Sequence, residues 1–327
     1  MKSMKKILLI CFILITCTFY AKAQQDAQYS QYMFNSLVIN PGYAGYKQTL
    51  NASGLYRLQW VGVDGAPVTQ SLVLDGSFFG DKIGLGLTMV KDKIGLQDLT
   101  STYLNAAYKL TVGNGAILSF GIGAGYNQFK FNSGNAQTDD PNDPTYALGQ
   151  GTFTSPDIRS GIHYSTDRFY AGFSATNMLS SFMDYGSTAE NSILKQGRHY
   201  FLTAGYLIDI NDFLKFKPSF LIKEDTKGPS NLDINNFFLL GEKVWLGASY
   251  RTSVNLLNKS GVTGNVRAPD AIVGLVEVFA TDGVRIGYAY DHAMSSLKGN
   301  DFGSHEISLG ITFGPKRRVP ILSPRYF

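Results

Sequence analysis

The chain has 327 residues, of which 17% are charged and 13% aromatic, and its formal net charge is +4. This composition excludes a disordered chain, because too much of the sequence is apolar and aromatic. Four lysines lie in the first 23 residues, which contain no acidic residue, so 29 minus 4 leaves 25 basic against 25 acidic residues in the remainder. The neutral remainder excludes a basic surface for nucleic acid, and no nucleic-acid partner is expected.

Residues 1–23 have the three parts of a secretory signal peptide. Lys2, Lys5 and Lys6 give a basic start, residues 7–19 form a mostly apolar run, and Ala21-Lys22-Ala23 is a small-residue cleavage site. The run of 13 residues is shorter than the roughly 20 that a membrane-spanning helix needs. We therefore predict cleavage before Gln24.

Both cysteines of the chain, Cys11 and Cys17, lie within this signal. After cleavage the chain would have no thiol for a disulfide, a thiolate metal site or a cysteine nucleophile. A lipoprotein signal that uses Cys17 is an alternative, but Thr16 is an unfavourable residue just before a lipidated cysteine.

From residue 49 onwards, apolar and polar residues alternate with period two, which is typical of strands with two different faces. In residues 305–313, for example, Ile307, Leu309, Ile311 and Phe313 share one face. The same pattern recurs in residues 116–126 and 284–292. The pattern predicts about fourteen strands, whose spans in chain order are 49–60, 68–80, 82–91, 97–110, 115–130, 155–165, 168–178, 198–210, 213–223, 231–240, 243–253, 269–280, 283–293 and 304–314.

The connections between these strands alternate between tight turns and longer segments, above all 131–154, 179–197 and 254–268. This alternation would place every short turn at one end of the molecule. Transmembrane up-and-down barrels sort their connections in this way, with short periplasmic turns and long extracellular loops, whereas a Greek-key sandwich has no reason to. We therefore predict an all-β fold, a transmembrane up-and-down antiparallel β-barrel of about 14 strands and of outer-membrane type, over residues 49–314.

The predicted inward faces carry charged residues of both signs. Such residues either line an aqueous pore or form a closed, salt-bridged interior, and the mixture does not decide between the two. Pro218 falls inside a predicted strand, where a bulge is expected because proline lacks the N–H that a ladder needs. The charged inward residues are Arg57, Lys109, Arg159, Lys215, Lys217, Arg251, Arg285, Asp157, Glu277, Asp291 and Glu306.

No motif for catalysis or for a cofactor is found. The glycines of residues 121–125 lack the spacing of a nucleotide-binding loop and are better explained by close packing inside the barrel. Asp291 and His292 are strand neighbours on opposite faces, so they cannot form a catalytic dyad by themselves. The acidic residues in 139–143 suit calcium but are interpreted as a solvated turn. We expect no catalytic, metal-binding or cofactor-binding residue, no cofactor and no enzymatic activity.

The sequence QYSQYMFNSLVINPGYAG at residues 28–45 resembles the opening motif of the PorP/SprF family, outer-membrane proteins of the type IX secretion system. It departs from the family pattern at Gly42, where alanine is usual. The segment 56–78, with Gln59-Trp60 and Pro67, and the closing Pro324-Arg325-Tyr326-Phe327 are also similar to the family.

The resemblance implies a non-enzymatic protein of the bacterial outer membrane with both termini in the periplasm. Its implied partners are type IX secretion machine proteins, cargo with a C-terminal sorting domain such as gliding adhesins, and outer-membrane lipid. Residues 24–48 would form a periplasmic segment that plugs the barrel or contacts a partner, and residues 315–327 a periplasmic tail. The partner-binding residues expected from the matched motifs are Gln31, Tyr32, Asn35, Asn40, Pro41, Tyr43, Pro324, Arg325, Tyr326 and Phe327.

The sequence leaves two other functions open. A passive porin or a transporter of hydrophobic solutes would use the same barrel. An outer-membrane hydrolase would need a convergent Ser/His/Asp cluster, which the sequence does not reveal.

Overall fold

The structure is a computed structural model that describes residues 27–113, 115–132, 150–179, 196–225, 228–254, 256, 269–294 and 301–314. The predicted signal peptide, the acidic loop 139–143 and the tail 315–327 lie outside these ranges. Three short 3-10 turns precede the strands, at Tyr32–Phe34, Ser36–Val38 and Pro41–Tyr43.

Fifteen strands follow and belong to one antiparallel sheet. The two-residue β9 continues β8 after Leu207, so the wall has fourteen positions around its circumference. The strands are β1 (Leu50–Leu58), β2 (Val68–Phe78), β3 (Ile83–Ile94), β4 (Gln97–Val112), β5 (Ala116–Asn132), β6 (Gln150–Ser165), β7 (Phe169–Thr176), β8 (His199–Tyr206), β9 (Ile208–Asp209), β10 (Leu214–Asp225), β11 (Ser230–Leu240), β12 (Val244–Val254), β13 (Pro269–Phe279), β14 (Val284–Ala293) and β15 (Ser304–Phe313).

The sheet closes on itself because its first strand pairs with its last. β1 and β15 are antiparallel neighbours from Leu50 opposite Phe313 to Leu58 opposite His305. With β8 and β9 counted as one strand, each strand otherwise pairs with the strands before and after it in the chain, which is up-and-down connectivity. The predicted fold, a closed barrel with fourteen strand positions, is therefore confirmed.

The two faces of the wall differ as the alternation predicts. Ile307, Leu309 and Phe313 of β15 point outward and are exposed, whereas Glu306 is buried inside. Nine of the eleven predicted inward charges are buried; Arg285 is half-buried, and Lys215 lies at the rim, paired with Asp209 and Glu242. The barrel thus has an apolar exterior and a polar interior, the reverse of a soluble domain.

The connections are sorted between the two ends of the barrel, although less strictly than the sequence suggested. The six connections at one end, here called the turn end, have three or four residues each. All long connections lie at the opposite end, here called the loop end, but so do the short connections 95–96 and 226–229. Strict alternation was therefore wrong at these two places, while the separation of long loops from the turn end is observed.

Pro218 lies in β10 and does not produce the expected bulge. Its register with β11 is continuous, with Pro218 opposite Asn236. On the other side, β10 pairs with β9 through Phe216 and with β8 from Ser219, and the ladder lapses between them without a change of register. The Leu207 N–H points to the other neighbouring strand and continues the β7–β8 ladder by donating to the Arg168 carbonyl oxygen at 2.7 Å. The N–H that Pro218 lacks is thus accommodated by a gap in the ladder and not by the extra residue of a bulge.

Candidate functional site

The segment that precedes β1 lies inside the barrel. Residues 29–46, here called the lumen segment, begin in the loop-end half, where Ser30 contacts Asp291 near the end of β14. The segment ends near the turn end, where the Gly45 N–H donates to the Asp75 carboxylate at 3.0 Å. Its buried apolar side chains are Tyr29, Tyr32, Met33, Phe34, Leu37, Ile39, Tyr43, Ala44 and Tyr46.

The local sequence favours a compact path for this segment. Its three 3-10 turns follow one another closely, and Asn40 caps the third by accepting a hydrogen bond from the Gly42 N–H at 2.8 Å. Pro41 occupies the first position of that turn, where the missing N–H costs nothing. Gly45 has a φ of +64°, a left-handed conformation that favours glycine, and it redirects the chain towards β1.

Glycines on the wall allow the lumen segment to approach the strand backbones. A Cβ at Gly84 would overlap the Ala44 carbonyl, and a Cβ at Gly121 would overlap the peptide between Pro41 and Gly42. Within 121–125, the glycines meet the lumen segment, Arg159 or the backbone of β4. The interpretation of these glycines as sites of close packing inside the barrel is therefore confirmed.

A cluster of five charged side chains, here called the ion cluster, holds the start of the lumen segment. Arg57 contacts Asp291 through Nη2 and Oδ2 at 2.8 Å and Glu306 through Nη1 and Oε2 at 3.1 Å. Arg251 contacts the same Asp291 oxygen through Nη1 at 3.1 Å and Asp233 Oδ1 through Nε at 3.0 Å. All five are buried. The cluster has two guanidinium groups and three carboxyl groups, so carboxyl oxygens are available to donors from the lumen segment.

Those donors come from Ser30 and Gln31. Their backbone N–H groups donate to the two oxygens of Glu306 at 2.9 and 2.7 Å. The Ser30 hydroxyl donates to Asp291 at 2.8 Å and accepts from Arg57 Nη1 at 3.0 Å. Charge-assisted hydrogen bonds of this kind are stronger than neutral ones, so the ion cluster fixes the segment as well as its own strands.

Carbonyl groups of the segment are satisfied by cations from the wall. Arg159 donates to the Val38 and Leu37 carbonyl oxygens at 2.8 and 3.2 Å. Arg285 Nη2 donates to the Phe34 carbonyl oxygen at 2.6 Å, and Lys109 Nζ donates to that of Gly45 at 2.6 Å. Buried backbone carbonyls without a partner are costly, and these side chains remove that cost.

Tyr32 and Phe34 fill the centre of the lumen. The Tyr32 hydroxyl accepts a hydrogen bond from Asn235 Nδ2 at 2.6 Å. Burial raises the pKa of Tyr32 well above its usual range, and the Asp233 carboxylate raises it further, so the phenol stays neutral. The Lys217 ammonium lies 4.7 Å from the centre of the Trp245 ring and 5.6 Å from that of Phe34, which are cation–π distances.

Six of the sequence-predicted contact residues lie in the lumen segment, and all are buried: Gln31, Tyr32, Asn35, Asn40, Pro41 and Tyr43. Gln31 donates to the Glu306 carbonyl at 3.1 Å and accepts from Ser308 at 2.7 Å, and Asn35 donates to Ser71 at 3.3 Å. Asn40 Nδ2 donates to the Ile162 carbonyl at 3.0 Å, and the Tyr43 ring lies 5.3 Å from His163. Pro324, Arg325, Tyr326 and Phe327 lie outside the described residues. Contact of any of the ten with a partner stays a prediction.

Sequence reasoning missed several residues of this site. Ser30, Asp233 and Asn235 all contact the ion cluster or the lumen segment, yet none belongs to the predicted inward charges or contact residues. Asp233 and Asn235 alternate with the apolar Ile234 on β11, which places them on the inward face. Strict application of that alternation to every polar residue would have found both of them.

The lumen segment and the wall leave a cavity on the loop-end side. Apolar side chains dominate its lining, among them Tyr29, Val38, Val90, Leu99 and Phe201. In the part of the chain that the structure describes, no group of three or more His, Cys, Asp or Glu side chains could hold a metal ion. None of the helices in the described ranges is long and apolar enough to cross a membrane.

Solved structures with similar folds are β-barrel channels. The TodX ΔS2S3 mutant monoaromatic hydrocarbon channel aligns with a TM-score of 0.51 at 10% identity, over 85% of this chain and 92% of that one. The CymD monoaromatic hydrocarbon channel aligns with a TM-score of 0.50 at 11% identity, over 86% and 94%. At this identity the likeness shows the fold alone. No curated protein matches the chain in sequence.

A closed barrel with an apolar exterior and a polar, filled interior defines an outer-membrane β-barrel protein. The family model of the type IX secretion system membrane protein PorP/SprF matches residues 21–311, which is most of the chain. The chain therefore belongs to the PorP/SprF family, as the motif at residues 28–45 predicted.

Proposed function

We propose that this protein is a non-enzymatic component of the type IX secretion machinery that binds machine proteins and cargo instead of conducting solutes. The observation that carries the proposal is the filled lumen in a member of this family. The lumen segment occupies the interior from the ion cluster to Gly45, so a solute path would require the segment to leave. Its cargo would be proteins with a C-terminal sorting domain, including gliding adhesins.

The proposal assigns four parts to the chain: a signal peptide at 1–23, an N-terminal segment at 24–48, the barrel at 49–314 and a tail at 315–327. The first and last residues of the barrel wall, Leu50 and Phe313, would face the periplasm, because they pair at the turn end and short turns mark the periplasmic end of outer-membrane barrels. The lumen segment begins in the loop-end half, at Ser30, so the turn lengths assign only the C-terminal end of the barrel to the periplasm and give no support to the expected periplasmic position of the N-terminus. A partner could reach the six buried contact residues only if the lumen segment moved. The tail residues Pro324, Arg325, Tyr326 and Phe327 are the other contacts that the proposal assigns to a partner.

A deletion strain tests the proposal. Loss of the gene should abolish surface display of specific cargo and leave small-solute uptake unchanged, and the wild-type gene should restore display. The purified protein should be silent in a planar lipid bilayer. Unchanged display together with reduced uptake would reject the proposal.

A second function, transport of a small hydrophobic solute, is favoured by the apolar cavity beside Tyr29 and Phe201. It predicts uptake of a hydrophobic probe into vesicles that contain the purified protein. A Phe201→Asp variant should reduce that uptake without altering cargo display. If the wild-type protein shows no uptake, the transport function is rejected and only the secretion function remains.

A further inference from the structure

Three exposed lysines lie on the outer face of the barrel near its loop end. Lys91 and Lys93 are on β3, and Lys130 is on β5. Lys91 and Lys93 flank Asp92, which lines the cavity inside the barrel, so both point outward. Lys130 is an odd number of positions from Asn127, which is buried inside, so it also points outward. All three side chains therefore lie on the side of the wall that faces lipid.

The lysines stand where the outward face changes from apolar to charged. On β3 the outward residues that precede them are all apolar: Ile83, Leu85, Leu87 and Met89. Lys91 and Lys93 are eight and ten residues from Ile83, which at about 3.3 Å per residue and a tilt near 45° is roughly 19 and 23 Å into a band about 25 Å tall. The long lysine side chains therefore extend to the level of the lipid headgroups, where membrane phosphates lie.

Neutral hydrogen-bond donors occupy the same level on the neighbouring strands. Lys91 lies opposite Gln70 on β2 and Thr100 on β4, and Thr100 lies opposite Gln128 on β5. The side chains of Gln70, Thr100 and Gln128 make no hydrogen bond to a residue that the structure describes. Amide and hydroxyl groups with free donors suit the oxygen atoms of a polar headgroup.

The charge of the three lysines is not neutralised by the described part of the chain. Lys93 and Lys130 lie on either side of Asp98 on β4. Neither lysine forms an ion pair with Asp98 or with another described residue, and the same holds for Lys91. Because one carboxylate stands among three ammonium groups, this part of the surface stays positive and favours an anionic ligand.

The three lysines are spread more widely than one phosphate requires. Lys93 and Lys130 are two strands apart, which is roughly 10 Å between their Cα atoms, and Lys91 is about 7 Å from Lys93 along β3. A phospholipid such as phosphatidylglycerol has one phosphate. Lipid A, the glycolipid anchor of lipopolysaccharide, has a phosphate at each end of a pair of sugars. The spacing of the lysines therefore favours the glycolipid.

We infer that Lys91, Lys93 and Lys130 form a binding site for the phosphates of lipid A in the outer leaflet of the outer membrane. Their ammonium groups would form charge-assisted hydrogen bonds with phosphate oxygens, and Thr100 and Gln128 would donate to the headgroup between them. The inference rests on the proposed function, in which the loop end faces the outside of the cell. A bound glycolipid would anchor strands β3 to β5 in the outer leaflet.

Titration of the purified protein with lipid A tests the inference, with native mass spectrometry in detergent to count the bound molecules. The test variant carries three substitutions: Lys91→Gln, Lys93→Gln and Lys130→Gln. Its apparent Kd should rise by about a hundredfold, because each cation near an anionic lipid surface contributes roughly a fivefold effect. The matched control removes three exposed cations from the turn end and should bind as the wild-type protein does: Lys82→Gln, Arg168→Gln and Lys243→Gln.

Companion measurements identify the ligand and confirm the fold. Dephosphorylated lipid A and phosphatidylglycerol should bind the wild-type protein more weakly than lipid A, and inorganic phosphate should not displace lipid A. A variant with arginine at the three lysine positions keeps the charge and should retain binding. Heat-modifiable mobility on a gel shows whether each variant forms the barrel.

The inference is overturned if the folded glutamine variant binds lipid A as the wild-type protein does, or if dephosphorylated lipid A binds equally well. Phosphatidylglycerol that binds as tightly as lipid A would overturn the assignment to the glycolipid and identify a phospholipid instead. Displacement by inorganic phosphate would show that the site takes free phosphate. These results come from purified protein, whereas the secretion function is read from cargo display in cells, so failure of one is distinguishable from failure of the other.

Discussion

Arg57 on β1 and Asp291 on β14 form an ion pair of 2.8 Å between Nη2 and Oδ2, and both side chains are buried in the lumen. The two strands are not neighbours, since β15 lies between them. The pair therefore bridges the seam where the barrel closes. Because Ser30 bonds to both side chains, the same pair also ties the lumen segment to the seam.

Replacement of Arg57 should lower the stability of the barrel and loosen the attachment of the lumen segment to it. Arg57→Met leaves Glu306 without a cation and should cost about 3–5 kcal/mol of unfolding free energy, the range for breaking a buried pair. The control is Arg168→Met, whose pair with Asp209 is exposed and should cost about 0–1 kcal/mol. Urea unfolding in lipid vesicles, followed by gel mobility, measures both. Equal costs would show that the buried pair contributes little.

A side chain at Gly121 should expel the lumen segment from its place against β5. Gly121→Val puts a branched side chain where Pro41 and Gly42 pass, so the segment should become open to protease and the protein should conduct ions in a planar bilayer. Gly54→Val is the control, since the nearest atom to its Cβ is the Ser71 carbonyl oxygen at 3.8 Å. A silent, protease-resistant Gly121→Val protein would contradict the close packing.

The orientation in the membrane can be tested with tags at four positions. Tags beside Asp140 and Thr188, in the long connections, should be labelled on intact cells. Tags beside Asn211 and Thr281, in tight turns, should be labelled only after the outer membrane is permeabilised. The expected difference rests on the sorting of connection lengths between the two ends, and the reverse labelling would invert the proposed topology.

Truncation after Gly314 should separate assembly from secretion. Phe313 pairs with Leu50 and completes the seam, so the barrel should fold and keep its heat-modifiable mobility on a gel. The removed tail contains Lys316, Arg317, Arg318 and Arg325 beside several apolar residues, and its loss should abolish cargo display. Normal display would make the tail dispensable. A truncated chain that never reaches the outer membrane would place the assembly signal at Phe327.

The sequence by itself determined the strand positions and the alternation that sets which side chains face inward. Leu50–Leu58 and Ser304–Phe313 were predicted to within a residue or two, because alternation is a local consequence of the pleat. The same parity placed Arg57, Glu306 and Asp291 inside the barrel. The resemblance of residues 28–45 to a family motif was also recognised from the sequence alone, and the family match agrees with it.

Only the tertiary structure decided where residues 29–46 lie and which charges pair. Ser30 and Glu306 are 276 positions apart in the chain, and no local pattern encodes a contact that depends on strand register and on closure of the seam. The choice between an aqueous pore and a salt-bridged interior was open for the same reason. Inward charges of both signs fit either case, and the lumen is filled because the chain before β1 supplies the backbone groups that these charges bind.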